Sequence, residues 1–225
     1  MEEFLSEKEK WERVKAQVRE SGPAVLLAIA LAAAGVTGWR WWQAHLDAQR
    51  LAAGSKYTQM IASLAQGDRS QALTVLGDLE HNYPGSPYTD QAKLLAARVY
   101  VDQAEFDRAE SVLRDVWQDS KDKDLAIVAR LRLARVQIAQ GKPDNALATL
   151  AGVEGGAFAA ASHEVRGDAY FAKGEKATAL KEYQSAKDGS TGTDTPLLNL
   201  KIADLAADSP AAARTATAAA TPPAK

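Results

Sequence analysis

The sequence predicts an all-α protein, one apolar helix near the N-terminus followed by a stack of helical hairpins, and three observations predict it. Nineteen consecutive residues without a charge, SGPAVLLAIALAAAGVTGW, lie between Glu20 and Arg40. A small residue recurs at Ala72, Ala109, Ala146 and Ala179, each time inside an apolar helical pattern. The composition is 46% hydrophobic and rich in Ala, while the 15 Gly and 8 Pro gather largely at break points, which favours helices over sheets. The 225 residues carry 27 Lys and Arg against 29 Asp and Glu, a net charge of −2, so no nucleic acid is expected as a partner. With 0 Cys, disulfides, thiolate nucleophiles and Cys-ligated metals drop out together.

Taking the elements in order, residues 1–20 hold six acids and five bases, with Phe4, Trp11, Val14 and Val18 near helical spacing. This reads either as an amphipathic helix resting on a membrane or as a solvated charged helix. The uncharged run, as a helix, spans roughly 28 Å at about 1.5 Å per residue, close to the thickness of a bilayer core. Pro23 suits a first helical turn, and Trp11, Trp39, Trp41 and Trp42 flank the run as interfacial rings do. A cleaved signal peptide fits less well, because the segment before the run is long and poorly cationic. We therefore expect an uncleaved transmembrane helix over 21–42. Lys8, Lys10, Arg13, Lys15 and Arg19 precede it, against Arg40, Arg50 and Lys56 after it, so the N-terminus is expected in the cytoplasm. In a Gram-negative cell the rest of the chain then lies in the periplasm. Within the span Ala30, Ala34 and Gly38 fall four apart, a small-residue face on which another helix can pack closely, although an Ala-rich run produces such a pattern by chance as well.

The repeats occupy 43–190. LRLARVQIAQGKPDNALATL at 131–150 aligns with EVRGDAYFAKGEKATALKEY at 164–183, and the same frame fits segments around Tyr100–Leu113 and Gly67–Leu76. The four recurring Ala are 37, 37 and 33 residues apart, which brackets the tetratricopeptide period of about 34. The fold class is therefore an N-terminal transmembrane helix followed by a tetratricopeptide-like helical repeat solenoid. The small Ala lets each second helix cross the first closely, and the Gly or Ala between them ends the first. Tyr83-Pro84-Gly85-Ser86-Pro87 marks the clearest break. An irregular helical bundle is the alternative that the unequal spacing leaves open. Residues 191–207 read as a linker and a capping helix, and 208–225, mostly Ala, Thr and Pro, as a disordered tail.

A search for chemistry finds little. His45, His81 and His163 stand in three separate segments without metal-ligand spacing, so no metal and no cofactor is expected. Gly152-Val153-Glu154-Gly155-Gly156 follows a helix, and Gly141-Lys142 is followed by Pro143, so neither is a phosphate loop. Glu164 and Asp168 stand four apart on one helix face, a spacing that can pair carboxylates, but nothing nearby marks a nucleophile. An enzyme is not expected. The repeat frame instead projects Tyr57, Ile61, Leu64, Leu94, Arg98, Val101, Leu131, Arg135, Ile138, Asp168 and Phe171 toward a concave surface. Such a groove suits an extended or partly folded polypeptide, with the two arginines holding carboxylates or carbonyls, while any one of these residues can equally belong to the core between repeats.

The order of acidic N-terminus, Ala-rich span, Gly38-Trp39-Arg40-Trp41-Trp42, then Leu131-Arg132-Leu133-Ala134-Arg135-Val136-Gln137, Arg166-Gly167-Asp168 and Lys173-Gly174-Glu175-Lys176 closely resembles the YfgM family, ancillary subunits of the SecYEG translocon. The resemblance covers residues 1 to about 206, and the Pro-rich tail departs from it. It implies a single-pass inner-membrane protein whose periplasmic domain meets polypeptides leaving the translocon and works with a PpiD-like periplasmic chaperone. The expected function is thus a holdase or adaptor that passes newly translocated proteins onward, its partners being SecYEG, that chaperone, unfolded envelope polypeptides and the membrane. The alternative is a membrane-anchored periplasmic scaffold for one dedicated envelope protein.

Overall fold

The structure is a computed structural model that describes residues 7–153, 155–190 and 196–207, and among these every regular element is helical. Nine α-helices are described: α1 (Glu7–Ala65), α2 (Arg69–Asn82), α3 (Pro87–Asp102), α4 (Phe106–Asp119), α5 (Lys123–Ala139), α6 (Pro143–Leu150), α7 (Ala159–Ala172), α8 (Lys176–Gly189) and α9 (Pro196–Ala207), with one short 3₁₀ turn at Gly156–Phe158. The chain divides into two compact units, residues 1–52 and 53–225.

The first unit holds most of α1. Leu27, Ile29, Leu31, Val36, Trp39, Trp41 and Trp42 are all exposed, and Trp41 stacks on His45 one turn further on, with ring centroids 5.9 Å apart. Ala30, Ala34 and Gly38 are exposed too, and a Cβ added at Gly38 meets nothing within 4 Å. Among the described residues no helix is long and apolar enough to cross a membrane. The side chains of Ser21, Pro23, Val25 and Leu26, on which the expected span partly rests, lie outside those described, as do Phe4 and the side chains of Val14 and Val18. The expected boundary at 42 falls inside α1, which continues without a break to Ala65.

The second unit is the repeat stack. The end of α1 packs on α2 through Ala53 and Met60, and α3 pairs with α4, α5 with α6 and α7 with α8, giving four hairpins, with α9 packed on α8. Three core clusters each join one hairpin to the first helix of the next: Ala53, Met60, Leu76, Leu79 and Ala96; Leu94, Leu113, Val116 and Leu133; Leu131, Leu150, Val165 and Ala169. A single hairpin cannot cover its own apolar face, so each buries it on its neighbour. The fourth cluster, Ala179, Tyr183, Ala186, Leu198 and Leu205, closes the stack with α9. α9 lies within the 191–207 segment read as linker and capping helix, while residues 191–195 and the tail at 208–225 lie outside the described residues.

The recurring small residue does what its size suggests. Ala72, Ala109, Ala146 and Ala179 are each 0% exposed, at the crossing of second helix on first. The turns between paired helices share one geometry. Gly67, Ala104, Gly141 and Gly174 all have φ between 60° and 79°, the left-handed region. At each, the next N–H reaches back five residues (Asp68 to Ser63, Glu105 to Tyr100, Lys142 to Gln137, Glu175 to Tyr170), the double-bonded helix ending that satisfies otherwise orphaned carbonyls. The second repeat alone holds Ala there, so its backbone carries a conformation that an L side chain resists.

The frame also explains an exchange in the fourth repeat. Leu76, Leu113 and Leu150 occupy equivalent places, and the fourth member is Tyr183. The larger ring fits because Gly167 replaces the Met60, Ala97 and Ala134 of the earlier repeats. A Cβ at Gly167 would stand 2.4 Å from the Tyr183 ring.

Candidate functional site

The first helices of the hairpins (the end of α1, α3, α5 and α7) carry the expected groove residues, which fall into three rows. Tyr57, Leu94 and Leu131 form the first row: Leu94 and Leu131 are buried and Tyr57 is half-buried against the core. This row is the packing between repeats. Ile61, Arg98, Arg135 and Asp168 form the second, in which Ile61, Arg98 and Arg135 are exposed. Leu64, Val101, Ile138 and Phe171 form the third. There Leu64 and Ile138 are half-buried, while Val101 and Phe171 stand out into solvent at 37% and 47%.

The structure brings part of this set into one cavity of about 330 Å³, open to solvent and enclosed by Leu94, Leu95, Ala97, Arg98 and Val101 of α3, Leu113 of α4, and Arg132, Arg135, Val136 and Ala139 of α5. Its walls are aliphatic and its rim carries three guanidinium groups. Arg132 turns inward and donates from Nη1 to the Leu94 carbonyl at 3.2 Å. Partial burial lowers the pKa of its guanidinium, and the like charges of Arg135 and Arg98 act in the same direction. Among the described residues no carboxylate pairs with Arg98, Arg132 or Arg135. A larger open depression of about 550 Å³ lies at the turns, around Ala104–Arg108, Ala139, Gln140 and Lys142. There Arg108 pairs with Glu105 at 2.8 Å and Gln140 donates to Asp107 at 3.1 Å. The smaller cavity, which gathers three guanidinium groups over aliphatic walls, has the stronger claim to a ligand.

Asp168 differs from the rest of its row. Its Oδ1 receives the Tyr183 hydroxyl at 2.8 Å and the Lys201 Nζ at 2.7 Å, and the same Nζ reaches Glu164 at 3.0 Å. Burial and then the bond to Asp168 raise the pKa of the Tyr183 hydroxyl. Burial pulls the Lys201 ammonium down, but its bonds to the two carboxylates outweigh that and leave it raised. The two acids are thus charge-paired tethers for α9. Elsewhere Arg130 lies over the Trp117 ring at 5.0 Å and donates to the carbonyls of Thr149 and Ala151, closing the end of the short α6. Among the described residues no group of three or more metal-ligating side chains forms.

Sequence reasoning missed Arg132 and Lys201. Arg132 stands i,i+3 from Arg135, a spacing that places both on one side of α5. Lys201 carries no comparable signal, because its partners lie more than 30 residues away.

Comparison with known proteins agrees with this architecture. A family model described as a tetratricopeptide repeat-like domain matches residues 15–207. The ancillary SecYEG translocon subunit of Aggregatibacter actinomycetemcomitans is 30% identical over 201 residues, covering 89% of this chain and 98% of that one. The chain belongs to the YfgM family of ancillary SecYEG translocon subunits. Another member, from Escherichia coli, is 29% identical over 206 residues, with 91% and 99% covered. Among solved structures, MamA from Desulfovibrio magneticus is 19% identical over 60% of this chain and 74% of that one, at a TM-score of 0.49. The match to the tetratricopeptide repeat-like family model runs through all four hairpins and α9, so the cavity and the Lys201 tether both lie inside it.

Proposed function

We propose that this chain is an ancillary subunit of the SecYEG translocon that receives newly translocated polypeptides in its repeat groove and passes them to the periplasmic chaperone network, including a PpiD-like partner. It is anchored in the inner membrane by one helix over 21–42, with the N-terminus in the cytoplasm and the repeats in the periplasm. The uncharged run, its Trp flanks and the excess of Lys and Arg before it support that topology. Ala30, Ala34 and Gly38 then face a transmembrane helix of a partner. The chain binds and releases; its paired acids, Glu164 and Asp168, serve the fold.

The observation that carries this reading is the open cavity on the first-helix face, apolar in its walls and uncompensated in its charge, in a chain that aligns along about nine tenths of its length with translocon subunits. An aliphatic pocket with a few polar groups at its rim takes alternate side chains of an extended or partly folded segment. Site-specific photo-crosslinking in native membranes tests it, with probes at the exposed Val101 and Phe171 and at Ala34. Capture of many envelope proteins at Val101 and Phe171, and of translocon or chaperone helices at Ala34, is the expected result. Capture of a single folded protein by the groove, with only lipid at Ala34, would replace it with a dedicated scaffold.

A further inference from the structure

We infer that the cavity between α3 and α5 selects polypeptide segments in which at least two Asp or Glu side chains flank an apolar residue, the carboxylates being held by Arg98 and Arg135 beside Arg132. The inference rests on the groove reading above and names its substrate class. Charge complementarity carries it. The chain as a whole is slightly acidic, at −2, yet three arginines crowd one aliphatic cavity without a carboxylate partner among the described residues. Like charges at such a site repel one another and raise the free energy of the empty state, and a bound anion relieves that repulsion.

The rest of the row strengthens the asymmetry. Its first member is the neutral Ile61, and its last, Asp168, shares the Lys201 ammonium with Glu164. The row therefore concentrates its positive charge in its middle two repeats. Arg98 and Arg135 are exposed and directed by helices that are fixed to each other through the core of Leu94, Leu113 and Leu133. Guanidinium forks accept carboxylates bidentately, and the aliphatic floor formed by Leu94 and Val136, with the exposed Val101 at its edge, takes the apolar residue between them. A single terminal carboxylate compensates one of three cations, so side-chain acids within the segment are the committed source.

The test uses the full-length chain in detergent or nanodiscs and fluorescent peptides of one length and one apolar pattern. One carries two Glu around a central Leu, a second has Gln at both positions, a third has Lys, and each is made with an amidated and with a free C-terminus. The expected result is that the Glu peptide binds about tenfold tighter than the Gln peptide, whatever its C-terminus, with an affinity that falls as salt rises. Arg98→Gln with Arg135→Gln is expected to remove that preference, the Glu peptide then binding no tighter than the Gln peptide. Both side chains are exposed, so the variant is expected to fold, and circular dichroism verifies it. Charge reversal with Arg98→Glu and Arg135→Glu is expected to move the preference to the Lys peptide. Equal binding of Glu and Gln peptides, or a preference set only by the free C-terminus, overturns the inference while leaving a polypeptide groove in place. Absence of binding by every peptide, together with no crosslinks from Val101, removes the groove itself.

Discussion

The turn of the second repeat offers the cleanest quantitative test of the repeat frame. Ala104 has φ of 60°, where the other three turns have Gly at 74° to 79°. A left-handed backbone costs an L residue about 1–2 kcal/mol relative to Gly. Replacing Ala by Gly also loosens the unfolded chain, which costs about 0.4–1 kcal/mol. The difference leaves Ala104→Gly stabilising by about 0.5–1 kcal/mol. The reverse changes have no steric component, because a Cβ at Gly67, Gly141 or Gly174 meets nothing within 4 Å. Gly141→Ala and Gly174→Ala are therefore expected to destabilise by a similar amount through the backbone alone. Urea unfolding of the full-length protein followed by circular dichroism reads the effect as a shift in midpoint at unchanged slope. A lower midpoint for Ala104→Gly, or no change for Gly141→Ala, refutes the argument that these four turns share one strained geometry.

Further predictions concern the end of the stack. Gly167→Ala sets a Cβ at 2.4 Å from the Tyr183 ring and is expected to cost about 1–3 kcal/mol; adding Tyr183→Leu, which restores the pairing of the earlier repeats, should recover part of the loss in the same unfolding assay. Arg130→Met keeps the stem over Trp117 but removes the donors to Thr149 and Ala151, for a loss of about 2 kcal/mol; an unchanged midpoint contradicts the role given to this guanidinium. The folded-state pKa values of Lys201 and Tyr183 are both raised above their ordinary 10.5 and 10.0. The native state then holds protons that the unfolded chain releases, so stability is complete below about pH 10 and falls as pH rises beyond it. Stability measured from pH 8 to 11 should show that fall, shallower in Tyr183→Phe; equal profiles in the two proteins count against the tether.

Much of the architecture was legible because it depends on local spacing. The Ala at 72, 109, 146 and 179 announced four hairpins, since only a small side chain admits a close helix crossing, and Pro87 after Ser86 announced the start of α3. The unequal last interval follows from shorter helices, 8 residues in α6 against 14 in α4 and 14 in α7 against 17 in α5, only partly offset by the longer connection between α6 and α7. Of the groove residues, Arg98, Arg135, Val101 and Leu94 do line one cavity, whereas Leu131 packs in the core and Asp168 is tied to α9.

Periodicity along the chain thus determined by itself the all-helical class, the number of hairpins, the turn positions and the face on which the candidate residues stand, because each of these is set by contacts between residues a few positions apart or one repeat away. The tertiary structure alone decided which members of that face are covered and which charges are compensated. Helical phase gives the direction of a side chain but not the depth of the neighbouring helix, so Leu94 and Arg98, four residues apart, end as wall and rim. The pairing of Lys201 with Glu164 and Asp168, and the gathering of Arg98 with Arg132 and Arg135, join residues more than 30 positions apart. Such contacts exist only after the stack has closed, and they leave the groove positive where the sequence as a whole is not.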